Sequence, residues 1–441
     1  LMKYWIYLLG ALLALSPGCE NSPWNYESMI SDDELLHQAM KQYSDVIVYD
    51  IFSPPVASRN YAYAAVAAYE ALATGDSSLV SLSGQLRQLS AAPPAPDQPY
   101  SPTVASLEAF YQTAKHFIFS ESKLLTKRDE VMSELASQMP KGDFKRSITW
   151  GKEIATHIIA WSDGDNYKQT RTFPKYSITP DPTKWRPTPP GYMDGIEPHW
   201  KEIRPFVIDS SDQFVPAPPT LYDLTKNGRF YSELMEVYSA VKDADEEQKE
   251  IASFWDCNPY VLNVTGHVMH ATKKITPGGH WISIVGIASR KAGASYKKSA
   301  EAYALTSIAL ADAFIACWDE KYRSNLVRPE TVINEHIDED WIPLLQTPPF
   351  PEHTSGHSVI SRAAATALTS IYGDDFSFDD DTEVQYGIPI RSYTSFYHAS
   401  EEAAISRLYG GIHYRPAIDE GVKQGQQVGN LIVERLRLSA S

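Results

Sequence analysis

The sequence predicts an all-α protein built as two packed helical bundles, with the functional site in the C-terminal one. Three observations predict this. Apolar residues recur at three- and four-residue intervals over most of the chain, strand signals are few, and helical segments stand on both sides of one long proline-rich stretch.

The balance of 39 Lys+Arg against 55 Asp+Glu leaves a formal charge of −16. A field of that sign repels polyphosphate backbones, so nucleic acid is not an expected partner. With 43% hydrophobic and 12% aromatic residues, the 441-residue chain can bury a large core in two or three structural units. Three cysteines make no disulfide framework, and no CxxC or local Cys/His cluster indicates a zinc site. Cys257 and Cys317 read as small buried hydrophobes.

Taken in order, residues 1–19 read as a secretory signal. An apolar run at 5–15 follows Lys3 and ends on Ser16, Pro17, Gly18 and Cys19, too short to span a bilayer. Ending on Gly18-Cys19, it resembles a bacterial lipoprotein signal in which Cys19 takes the lipid; plain export is the alternative. The expected location is the periplasm or cell envelope, with the membrane touched only through that anchor. Residues 30–170 form the first bundle. Leu35, Leu36, Met40 and Tyr43 open one helical pattern, an alanine-rich helix covers 58–73, a proline-rich loop covers 91–102, and helices are expected over 107–138 and 147–161.

Residues 174–219 hold 11 of the 30 prolines together with Trp185 and Trp200, a density no regular helix survives. Residues 171–220 are therefore a connection between bundles or a lid. The second unit, 221–438, carries helical patterns at 221–241, 246–255, 296–321, 354–371, 401–409 and 419–436.

Three short segments in this second unit place cations or histidines beside residues that expose the backbone. The first runs from Lys321 to Arg328 and Pro329, where the helix is expected to stop; Lys321 and Arg328 would share a face if the helix persisted that far. The second is Thr354-Ser355-Gly356-His357 at the start of an apolar helix. Unpaired N–H groups and the helix dipole attract an anion there, and Gly356 lets it reach the backbone. The third is Ser406-Arg407 followed by Gly410-Gly411 and His413, the glycine pair being able to end a helix and turn His413 back. Lys321, Arg328 and Arg407 together offer three fixed positive charges, and guanidinium forks suit a tetrahedral oxyanion. Asp256 is a candidate anchor for one of the arginines.

In this order the three blocks resemble the signature of the vanadium-dependent haloperoxidase and type 2 phosphatidic acid phosphatase superfamily. The resemblance implies that Lys321, Arg328, Ser355, Gly356 and Arg407 hold an oxyanion. It implies that His413 bonds its central atom, vanadium or phosphorus, and that His357 is the acid–base residue. The chain departs from the pattern at Thr354, where Pro is usual, and at Ala417, where an Asp often orients the last histidine. Asp419, six residues after His413, is a candidate for that role, and the carboxylate stays unassigned.

The lipid phosphatases of the superfamily are built from membrane-spanning helices, and its soluble phosphatases carry little ahead of the core. More than 200 residues precede the blocks here. That layout looks like the bacterial haloperoxidase branch, as do Trp318, Phe350, 188–192 and 204–206. The resemblance thus implies a vanadate cofactor, with phosphate able to occupy the same site, and hydrogen peroxide and halide as substrates. Trp318, Phe350 and His353 form the expected halide environment, an aromatic at the Phe350 position being associated with chloride. Two alternatives stay open: an acid phosphatase acting on small phosphomonoesters through a phosphohistidine in the same pocket, and a non-enzymatic glycan-binding lipoprotein using exposed aromatics.

Overall fold

The computed structural model describes residues 33–265 and 268–440. The signal segment and Cys19 lie outside the described residues. Among those described, fourteen α-helices are joined by loops and two short antiparallel ladders.

The first half contains α1 (Glu34–Asp50), α2 (Pro54–Ala73), α3 (Pro102–His116), α4 (Glu121–Ser137), α5 (Lys141–Ser162) and the single turn α6 (Tyr167–Thr170). The Pro54-Pro55 start suits the first turn of α2, where a missing N–H costs nothing, and the alanine-rich body that follows is buried on all sides. The helix expected over 107–138 is two helices. The carboxylate of Asp50 accepts from the N–H groups of Phe119 and Ser120 at 2.8 and 3.0 Å and fixes a turn between α3 and α4.

The second half contains α7 (Arg229–Lys242), α8 (Glu246–Phe254), α9 (Pro277–Ala292), α10 (Tyr296–Ser324), α11 (Pro329–His336), α12 (Gly356–Tyr372), α13 (Phe396–Tyr409) and α14 (Arg415–Arg435). Strands β1 (Val261–Thr265) and β2 (Val268–Thr272) pair with Val261 opposite Thr272; β3 (Phe378–Asp380) and β4 (Arg391–Tyr393) pair with Phe378 opposite Tyr393. Residues 221–228, expected to be helical, are loop. The helices α9 and α11 are additions to the sequence-based expectation.

The 29-residue α10 is the axle of the molecule. Every residue from 299 to 321 is buried, and the helix packs on α2 in the first half and on α12 and α14 in the second. It is apolar and long enough to cross a membrane, but its apolar stretch is wholly buried in the protein core. One hydrophobic cluster runs from Leu36 to Leu436 and joins the two halves.

The proline-rich stretch is fastened to this axle. Asp312 of α10 accepts from the N–H groups of Phe206, Val207 and Ile208 at 2.7, 2.7 and 2.9 Å. Ile196 O accepts from Trp318 Nε1 and Tyr322 Oη, and Trp185 and Trp200 are buried. With these backbone groups and indoles committed inward, the stretch is strapped to α10 at residues 196 and 206–208. All eight tryptophans in the described residues are buried, so none of these indoles is offered to a sugar.

Candidate functional site

The three sequence blocks converge at the C-terminal end of α10. Asn325, in the left-handed conformation at φ 53°, ends that helix, and Arg328 is the cap residue from which α11 starts. Pro329 opens a helix here and does not stop one, so Lys321 and Arg328 meet through a loop and not along one helix face. Ser355 caps α12, its Oγ accepting from Ser358 N at 3.3 Å, which leaves its own O–H to donate. Gly356 and His357 occupy the first turn, whose N–H groups have no intrahelical acceptor. A Cβ on Gly356 would meet the Trp318 ring at 3.7 Å and nothing else within 4 Å, so it would project into the cleft.

The third block turns on glycine. Gly411, at φ 77°, donates to Leu408 O, and Ile412 N donates to Arg407 O at 3.2 Å. These two bonds form a Schellman motif that closes α13 and sends the chain back toward the cleft. Arg407, in the last turn of α13, donates through Nη2 to Trp255 O at 2.8 Å and through Nε to Ser406 Oγ. Gly356, His357, Arg407, His413, Trp318 and Phe350 line one cleft together with Cys257.

His413 is held in one tautomer. Arg328 Nη1 donates to its Nε2 at 3.1 Å, so Nε2 carries the lone pair, and Nδ1–H donates to Glu352 Oε1 at 2.9 Å. Glu352 also accepts from Tyr414 N. The orienting carboxylate is thus Glu352; Asp419 sits among Arg415 and Lys423, on a more exposed face of α14. Only an acid in the apolar run 348–353, directly before the Ser-Gly-His block, signalled it. Asp256 pairs with Lys274 Nζ at 2.8 Å and reaches Arg407 only through its field.

The electrostatics are those of a pocket short of negative charge. Lys321, Arg328 and Arg407 are buried, and burial draws them down to about 7, 10 and 10 respectively. Burial pushes Glu352 up to about 7 against the pull of Arg328 and Lys321. Burial, reinforced by neighbouring cations, also holds His357 and His413 well below the ordinary imidazole value, so both rings are neutral at pH 7. Arg328 Nη2 and His357 Nε2 are buried without partners. Lys321 differs from expectation: its ammonium donates to the carbonyls of Pro351, Glu352 and Thr354 at 3.1, 3.1 and 2.6 Å, which uses all three of its hydrogens.

An oxyanion fits this donor set. It would take the orphaned Arg328 Nη2, the first-turn N–H groups of α12 and the Ser355 hydroxyl, and it would replace Arg328 Nη1 as the partner of the His413 Nε2 lone pair. Phe350 packs on Trp318 with ring centroids 4.9 Å apart. His353 does not join them: its Nε2–H donates to Ala217 O of the strap at 3.0 Å, and it does not line the cleft. Thr354 Oγ1 donates to Gln424 Oε1 at 2.9 Å, which ties the departure from the usual Pro to α14.

Residues 301–440 match the family model described as the VCPO second helical-bundle domain. A solved structure described as the first bacterial vanadium-dependent iodoperoxidase is 50% identical, covering 93% of this chain and 98% of that one with a TM-score of 0.89. Holo-type and apo-type bacterial vanadium-dependent chloroperoxidases superpose with TM-scores of 0.68 and 0.67. They are 17% identical, cover 88% and 87% of this chain and 93% and 94% of theirs, and so show a common fold. No curated protein matches the chain.

Proposed function

The chain belongs to the vanadium-dependent haloperoxidases, and from that premise we propose that it oxidises iodide with hydrogen peroxide, through the residues gathered at the cleft. The observation that carries the site assignment is the buried donor set: Arg328, its Nη2 left without a partner, stands with Lys321 and Arg407 beside a neutral His413 that Glu352 holds through Nδ1. Isolated buried charge is costly, and a bound oxyanion supplies the missing counter-charge. Iodide as the halide is supported by the half-identical relative that carries the name iodoperoxidase.

Vanadate, when bound, supplies the Lewis-acid centre at which hydrogen peroxide becomes electrophilic toward halide. The protein's part is to hold and to move protons. His413 Nε2 offers the lone pair, kept in that tautomer by Glu352, while Arg328, Arg407 and the first turn of α12 hold the oxygens. His357 Nε2, neutral and unpartnered, accepts a proton from entering hydrogen peroxide and returns one to the oxygen that leaves as water. Phe350 and Trp318 wall the approach with apolar surface, which strips water from a weakly hydrated anion.

The test is iodide oxidation by vanadate-loaded, phosphate-free protein, followed beside bromide, chloride and p-nitrophenyl phosphate. We expect His413→Ala to lose vanadate binding and turnover together. His357→Ala should keep vanadate, slow the reaction about 100-fold or more, and lose the acidic limb of the pH–rate profile. Absent halide oxidation with phosphatase activity lost in His413→Ala would replace this reading by the phosphatase one.

Export and lipid anchoring at Cys19 rest on the sequence of residues 1–19. Labelled palmitate should enter the full-length wild type and not Cys19→Ser, and both should fractionate with the cell envelope or periplasm.

A further inference from the structure

The sequence shows no local Cys/His cluster, yet folding assembles one from three distant segments. Cys257 lies in the loop after α8, His280 in the first turn of α9, and Glu383 beyond β3. Cys257 Sγ and His280 Nδ1 are 3.4 Å apart, His280 Nδ1 and Glu383 Oε1 are 3.2 Å apart, and the three ligand atoms lie within 4.8 Å of one another. All three residues are at most 1% exposed.

Two further features turn proximity into a site. Both carboxylate oxygens of Glu383 are buried without a hydrogen bond, and beyond the 3.2 Å approach of Oε1 to His280 Nδ1 the side chain is left with coordinating capacity beside the thiol and imidazole. On its far side, His280 Nε2 bonds Asp380 Oδ2 at 2.7 Å, and Asp380 Oδ1 accepts from Thr382 N. A carboxylate behind a histidine is the usual device that fixes a ligating imidazole and raises its basicity.

We propose that Cys257, His280 and Glu383 bind a divalent cation of borderline softness, zinc in the first place, at a site beside the oxyanion cradle, whose cleft Cys257 also lines. A tetrahedron with Zn–S of about 2.3 Å and Zn–N of about 2.0 Å has edges of roughly 3.3 to 3.5 Å, and the 3.4 Å between Cys257 Sγ and His280 Nδ1 and the 3.2 Å between His280 Nδ1 and Glu383 Oε1 match two of them. The mixed thiolate, imidazole and carboxylate set suits such an ion, and three protein ligands leave the fourth position to water. Binding releases the thiol proton and neutralises Glu383. Trp255 links the two sites: its ring stacks on His280 with centroids 4.6 Å apart, and its carbonyl takes the Arg407 Nη2–H. The ion therefore pins the loop that holds Arg407 in the cleft.

Full-length protein grown with zinc and dialysed should retain about one zinc per chain by elemental analysis. Cys257→Ser and Glu383→Gln should each lose it, whereas His413→Ala should keep zinc while losing vanadate. Metal-stripped wild type titrated with Co2+ should develop thiolate-to-cobalt charge-transfer absorption and tetrahedral d–d bands, a readout that requires no variant to fold. Wild type that retains no zinc and gives no cobalt–thiolate absorption overturns the proposal. Zinc retained equally by Cys257→Ser and Glu383→Gln overturns it as well.

Discussion

At the residue scale the decisive side chain is Glu352, which accepts from His413 Nδ1–H and, with Arg328 donating to Nε2, keeps the ring in one tautomer. Glutamine at this position keeps an acceptor for Nδ1–H but removes the charge, and loss of such a supporting group typically weakens binding 10- to 100-fold. Glu352→Gln should therefore bind vanadate about 10- to 100-fold more weakly in titrations, while Asp419→Asn binds normally. The opposite pattern would return the orienting role to Asp419. The same carboxyl leaves a mark on stability. Its folded value is raised to about 7, so the folded chain holds a proton that the unfolded chain releases. That contribution is complete below the unfolded value of about 4.5 and is lost as pH rises through about 7. Urea melts across this window should have a flatter pH slope in Glu352→Gln than in wild type.

At the element scale, the turn between α13 and His413 depends on Gly411. Its φ of 77° disfavours any side chain, and an added Cβ would sit 2.6 Å from Val241 Cγ2 and 3.1 Å from the Trp341 ring. Gly411→Ala should cost about 1–3 kcal/mol in denaturant unfolding and displace His413, so that vanadate affinity falls with stability. An alanine variant as stable as wild type would show that this turn is not strained. The glycine pair was legible in the sequence because the need for positive φ is local, and so were the three cationic blocks, whose chemistry sits within a few residues. What escaped was set by tertiary packing. Pro329 was expected to stop a helix that Asn325 ends, because a proline reads alike at either border. The helix α9 was hidden by Thr276-Pro277-Gly278-Gly279, a turn-like string. There Gly278 is required by closeness, since a Cβ would meet Ser58 Oγ of α2 at 2.4 Å. Glu352 and the Cys257–His280–Glu383 cluster escaped for the same reason, their partners lying 61 positions or three segments away.

At the scale of the whole molecule, α10 decides how the chain unfolds. The two helical halves expected from the sequence share one hydrophobic cluster, and the axle that carries Lys321 at one end packs on α2 of the first half along its length. Exposing either half strips apolar surface from the other, so neither is a separate cooperative unit. Unfolding in phosphate-free buffer should therefore give one calorimetric transition, although the residues proposed to hold the oxyanion all belong to the second half. Vanadate at 100 times its dissociation constant adds about 2.7 kcal/mol to the folded state. For a chain of this length that moves the midpoint by about 3 °C, because the unfolding entropy scales with residue number. The whole transition should move together, and His413→Ala should not respond. Two transitions, with vanadate raising only the later one, would mean that the shared core does not couple the halves. The site would then be stabilised by the second bundle alone, with the strap anchored on Asp312 acting as an ordinary linker.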